Sequence, residues 1–123
     1  MAEQYNVLTV GDLDFAARVL KSEIPVIVDF TAVWCPPCHA LTPVFERLSK
    51  EYTGKVRFAQ IDVDEHPETP TYYGIQGMPT LLVFSNGEVI GRIVGPHPTR
   101  LQSSIDRILA ENDIAISNHS NIR

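Results

Sequence analysis

The chain has two cysteines, Cys35 and Cys38, a single tryptophan, Trp34, and no apolar run long enough to span a bilayer. A small fold stapled by disulfides uses more cysteines at wider spacing, and a bridge across so short a loop constrains the unfolded chain little. The pair therefore reads as one that reacts rather than one that holds the fold. The most apolar stretches, 26–28 and 80–84, are far below membrane-spanning length. Residues Met1 to Asn6 lack the basic start and apolar core of a signal peptide. A cytoplasmic protein is the expectation, with a mature exported form as the other reading. Positive charge is also scarce. With a net charge of −5 and no basic patch to neutralise phosphates, neither nucleic acid nor an anionic membrane is an expected partner.

What is present suits one ordinary domain. The 123 residues are 44% hydrophobic and 20% charged, enough for a real core. A domain over 1–110 and a polar, frayed tail over 111–123 are expected. Val7-Leu8-Thr9 reads as a first strand. Leu13, Phe15, Ala16, Val19 and Leu20 then share a helical face, with Asp12 as N-cap. Val26 to Phe30 is a near-continuous β-branched and apolar run, the mark of a strand buried on both faces. Leu41, Val44, Phe45, Leu48 and Tyr52 form the stripe of a long helix that Pro43 should kink without ending.

Val56–Asp62 is a further strand, and Asp64–Tyr73 a short irregular helix broken by Pro70. Thr80–Phe84 and Val89–Val94 flank Asn86-Gly87, a hairpin signal. Leu101, Ile105, Ile108 and Leu109 mark a last helix. The order β-α-β-α-β-α-β-β-α demands parallel pairing with helices on both faces and an antiparallel hairpin at the edge: a single α/β sandwich.

The cysteines sit where the buried strand gives way to the long helix. Cys35 falls at the helix N-terminus, where free N–H groups and the helix dipole favour a thiolate, the attacking species in disulfide exchange. Cys38, one turn on, is within bridging reach. Cys35 is expected to be the exposed attacker and Cys38 the buried resolver. A zinc site would need four ligands, and His66, His97 and His119 show no pairing that supplies them. The run Cys35 to His39 also fits a haem-attachment pattern, but its strand-to-helix setting does not suit that use. No metal or cofactor is expected. His39 reads as a solvated first-turn residue.

Val28-Asp29-Phe30, Trp34-Cys35 with Cys38, Pro43, Gly77-Met78-Pro79-Thr80, Asn86-Gly87 and Val94-Gly95 together resemble the thioredoxin family in order and spacing, over about Val7 to Leu109. The resemblance implies a thioredoxin fold: a three-layer α/β/α sandwich with a central mixed five-stranded sheet and four helices. It implies a thiol–disulfide oxidoreductase that reduces protein disulfides, with Cys35 as nucleophile, Cys38 as resolving thiol and Asp29 as proton relay. An unpaired carboxyl in Val26-Ile27-Val28-Asp29-Phe30 should independently have a raised pKa, unless the backbone satisfies it. Pro79 matches a cis-proline beside the disulfide. Trp34, Pro36, Pro37, Met78, Pro79 and the Gly95-Pro96 loop resemble the substrate-docking rim. A monomer recycled by a flavin- and NADPH-dependent thioredoxin reductase is the implied partnership.

Three departures bear on the chemistry. Pro36-Pro37 stands where the usual member has Gly-Pro. The second fixed φ stiffens the loop and is expected to remove an N–H that could face the thiolate, displacing the redox poise from the family's roughly −270 mV. Gln60 stands where a lysine usually pairs with the buried acid, and Thr31 replaces a common tryptophan. The alternatives are a thiol oxidase or isomerase on the same fold, and a non-catalytic binding module.

Overall fold

The most apolar segment of the chain takes the centre of the sheet. In the computed structural model, which describes residues 6–114, β2 (Val26–Thr31) is buried along almost its whole length. It pairs in parallel with β3 (Arg57–Asp62) and antiparallel with β4 (Thr80–Ser85). β1 (Val7–Thr9) adds beyond β3 and β5 (Glu88–Val94) beyond β4, giving the order β1-β3-β2-β4-β5. The β4–β5 hairpin turns at Asn86 and Gly87, both at positive φ (54° and 81°), the geometry that two-residue hairpin loops require.

Alternation along the strands divides the core into two layers. On one face Ile27, Phe58, Leu81, Val83 and Ile93 pack against α1 (Pro36–Glu51) through Leu41, Phe45, Leu48 and Tyr52. The last helix, α3 (Leu101–Glu111), joins them through Leu101, Ile105 and Leu109. On the other face Val26, Val28, Phe30, Ala59, Ile61, Leu82 and Phe84 meet Phe15 and Val19 of the first helical segment and Tyr73 and Ile75 after α2 (Glu68–Tyr72). The expected three-layer sandwich with a mixed five-stranded sheet and four helices is present. α1 runs through Pro43, as anticipated.

Two details differ from the sequence reading. The first helix is a five-residue π-helical segment, Ala16–Leu20, closed by a bond from the Lys21 N–H to the Ala16 carbonyl. Leu13 is not on its buried face but fully exposed. Asp12 does not cap it either. Asp12 instead accepts the N–H groups of Glu68 and Thr69 at 3.1 and 2.8 Å, the first turn of α2. The reason is local chemistry: the residue at the cap of α2 is Pro67, whose side chain offers no acceptor, so those N–H groups recruit one from across the chain. Desolvation opposes ionisation of Asp12, but the bonds from Thr69 and Glu68 outweigh it and hold the carboxyl below its usual range. The same proline shortens α2 to Glu68–Tyr72, against the expected Asp64–Tyr73. At the other terminus α3 reaches Glu111, and residues 115–123 of the expected tail lie outside the described residues.

Candidate active site

β2 ends at Thr31, the chain turns through Ala32 to Trp34, and α1 begins at Pro36. This places Cys35 at the N-cap of α1 with extended backbone (φ −99°, ψ 104°), and its Sγ accepts the Cys38 N–H at 3.2 Å. Cys35 and Cys38 are joined in a disulfide, their Cα atoms 5.3 Å apart. The expected contrast between an exposed and a buried sulfur is absent: each cysteine is 2% exposed. Cys35 turns back onto the first turn of its own helix and packs with Ala32 and Cys38, flanked by Val63 and Met78.

The expected effect of Pro36 also changes. A side chain at the N-cap receives its bonds from the N–H groups of the second and third helical residues. Those residues are Pro37, which has no N–H, and Cys38, whose N–H is the bond observed. Pro36 occupies the first position, so it stiffens the turn without removing a capping donor from Cys35.

Asp29 lies on the α1-facing side of β2, in register with Gln60 on β3 and Leu81 on β4. It is 2% exposed, and its Oδ1 has no hydrogen-bond partner. The alternative of a carboxyl fully satisfied by backbone is thus not what is found. Burial disfavours the charged form and pushes the Asp29 pKa up to about 7. Among the described residues no cation offsets that burial, in keeping with Gln60 at the neighbouring position. Thr9, Thr31, Gln60, Asp62 and His39, together with Ala32 and Val33, help to line an open cleft of mixed polar and apolar character, about 300 Å³, beside this end of the sheet.

The remaining rim residues gather around the disulfide. The Met78–Pro79 bond is cis. Pro79 is buried while its carbonyl accepts the Gly95 N–H at 2.8 Å, which brings the Gly95 loop alongside. Gly95 is exposed, as are Pro36 and Pro37, and Met78 is half-buried. Trp34 is 63% exposed, its indole Nε1 donating to Asp64 Oδ2 at 2.7 Å.

Sequence reasoning missed Val33, which is 74% exposed beside Trp34, and the packing of Val63 and Ala32 on the disulfide. A valine in the turn after a buried strand carries no mark that separates rim from core. It also missed the anchor at Asp64 and the bond from His39 Nε2 to the Val33 carbonyl.

Comparisons with known proteins agree with this geometry. The family model described as Thioredoxin matches residues 6–107. A thioredoxin of Synechocystis sp. is 43% identical over 101 residues, covering 81% of this chain and 94% of the relative. One from Rickettsia bellii is 48% identical over 88 residues, 72% of this chain and 84% of its own. One from Haemophilus influenzae is 40% identical over 103 residues, 83% and 96% respectively. A disulfide-bonded cysteine pair at a helix N-terminus, on this sheet and with these relatives, leads to one conclusion: the chain belongs to the thioredoxin family and is a thiol–disulfide oxidoreductase.

Proposed function

We propose that the chain reduces protein disulfides with Cys35 as the nucleophile, Cys38 as the resolving thiol and Asp29 as the proton relay. The observation that carries this reading is the Cys35 sulfur at the N-cap of α1, bonded by the Cys38 N–H and already closed onto Cys38. In the reduced protein that N–H and the helix dipole favour the Cys35 thiolate. The thiolate attacks one sulfur of a substrate disulfide, forming a mixed disulfide and expelling the other sulfur as a thiolate that takes a proton from solvent. Cys38 then loses its proton to the Asp29 carboxylate and attacks the Cys35 sulfur. The substrate's second thiolate leaves, and two electrons have passed from the dithiol to the substrate. An acid with a pKa of about 7 suits both halves of this exchange, since it can accept and return a proton near neutrality.

Trp34, Pro36, Pro37, Met78, Pro79 and Gly95 would form the surface on which the substrate backbone settles. Exposed apolar side chains around a buried sulfur pair suit a partner that covers the site as it reacts. Return to the dithiol would fall to a flavin- and NADPH-dependent thioredoxin reductase. A monomer working in the cytoplasm is the accompanying reading, and no helix among the described residues is long and apolar enough to cross a membrane.

Insulin reduction by the protein, with dithiothreitol and then with a thioredoxin reductase plus NADPH, tests the proposal. Turnover in both arms is expected. A Cys38→Ser variant should accumulate mixed disulfides through Cys35. A redox potential at the oxidising end of the glutathione scale would instead favour the oxidase reading.

A further inference from the structure

The loop that leads into Cys35 carries two exposed apolar side chains, Val33 and Trp34, at 74% and 63% exposure. Such side chains have little packing of their own to hold them, yet they are tied down from two directions. On one side the Trp34 indole donates to Asp64, which follows β3. On the other, His39 Nε2 lies 2.5 Å from the Val33 carbonyl oxygen. A carbonyl only accepts, so Nε2 carries the proton. His39 is well placed to act as a fixed post. It is the fourth residue of α1, after a first turn whose first two φ angles are set by Pro36 and Pro37. Its own N–H donates to the Cys35 carbonyl at 3.2 Å, and the Cys35 N–H donates to Ala32 at 3.2 Å. The whole segment from Ala32 to His39 is thereby closed into a compact frame, with Val33 and Trp34 on its outside.

We propose that His39 is a positioning residue for substrate docking: by donating to the Val33 carbonyl, it fixes the Val33–Trp34 shelf against α1. The inference rests on the protein-disulfide reductase reading, because it concerns the surface that a protein substrate would cover. A shelf ordered before contact spares the partner the loss of loop entropy on binding, which aids a large substrate and does nothing for a small one. The sulfurs are not touched by the imidazole in this arrangement, so their chemistry should not depend on it.

The test compares pre-reduced wild-type protein with His39→Ala and His39→Gln, each oxidised by insulin and, separately, by hydroxyethyl disulfide. For His39→Ala we expect the insulin rate at low concentration to fall about fivefold while the hydroxyethyl disulfide rate holds, since only docking is altered. His39→Gln keeps an N–H donor of similar reach and should recover part of the loss. Trp34, as the chain's one tryptophan, supplies a second readout. Its fluorescence anisotropy should fall in His39→Ala and return in His39→Gln. Equal losses with both oxidants would overturn the proposal. That result would point to an effect of the imidazole, or of Asp62 and Glu65 in the same cleft, on the thiols. Unchanged insulin rate and anisotropy would overturn it too. A wild-type protein that fails to reduce insulin would sink the reductase reading itself, whereas the Trp34 signal tests the tether without turnover.

Discussion

The α1-facing side of the sheet is built from the same three parallel strands at both ends, yet the two ends carry opposite chemistry. At the N-terminal ends lie Val7, Ile27 and Phe58, paired with one another and closed over by Phe45 and Tyr52. Phe58 stands 4.9 Å from Phe45 and 5.7 Å from Tyr52 between ring centres, and the one polar atom of that group, the Tyr52 hydroxyl, donates to Asp106. Two residues further along each strand come Thr9, Asp29 and Gln60, again in mutual register, then Thr31 and Asp62. There the covering helix has just begun, a cleft of mixed lining opens, and a buried carboxyl oxygen goes unpartnered. The lesson is that one sheet face can be apolar core at one end and hold an unpartnered carboxyl oxygen at the other. What separates them is where α1 starts.

The largest expected effect falls at the reactive end. Cys35→Ser should lower insulin reduction to the uncatalysed rate while leaving the unfolding midpoint of the reduced protein nearly unchanged. The mirror experiment at the closed end is Phe58→Ala. It should cost about 3–5 kcal/mol in urea unfolding, through lost burial and the cavity left behind. If it also altered the pH dependence of activity, the separation of the two ends would fail.

Asp29 sharpens the contrast further, because its sign is unusual for a carboxylate. Folding raises its pKa from 3.8 to about 7, so the folded state binds the proton more tightly than the unfolded state. Stability is therefore unaffected by this group below about pH 4, falls as pH rises towards 7, and is flat above that. At about 1.36 kcal/mol per pH unit the full loss is on the order of 4 kcal/mol. Asp29→Asn should abolish this decline: compared with wild type, it should gain that amount on going from about pH 4 to about pH 8 in urea unfolding. A parallel pair of stability curves would show that Asp29 is solvated or paired after all.

Asp12 gives the opposite trend. Its folded pKa is lowered, so its contribution is present above the usual carboxylate range and fades as pH falls. Asp12→Ala should drop the thermal midpoint by a few degrees near neutrality and by less in acid. The smallest effect is expected for Pro36→Gly. Since Pro36 removes no donor from Cys35, the alkylation rate of the reduced protein at neutral pH should change by less than about twofold.

What the sequence revealed and what it hid divide along the range of the interactions. β2, the α1 stripe and the Asn86-Gly87 turn were legible because burial on both faces, helical period and positive φ leave local residue patterns. The reactive pair was legible because a strand-to-helix junction is local too. Asp12 was misread because the helix it caps begins 56 residues away, and nothing near Pro67 in the chain announces the missing acceptor. The Trp34–Asp64 and His39–Val33 bonds were hidden for a related reason: side chains that brace a loop follow no period. The near-equal burial of Cys35 and Cys38 depends on Val63 and Met78 arriving from other strands' ends, which spacing alone does not encode.

The borrowed cap of α2 has a thermodynamic corollary. Gly11 lies so close to the His66 ring that any side chain there would collide with it, and the Asp12 N–H donates to His66 Nδ1 at 3.3 Å. The turn after β1 and the start of α2 are therefore expected to open or close as one cooperative unit. Lifting the first strand off β3 uncaps α2, and the segment after α2 carries Ile75 to Met78 towards the disulfide. Amide exchange in α2 should thus rise and fall with exchange in β1, although the two segments are neighbours neither in sequence nor in the sheet.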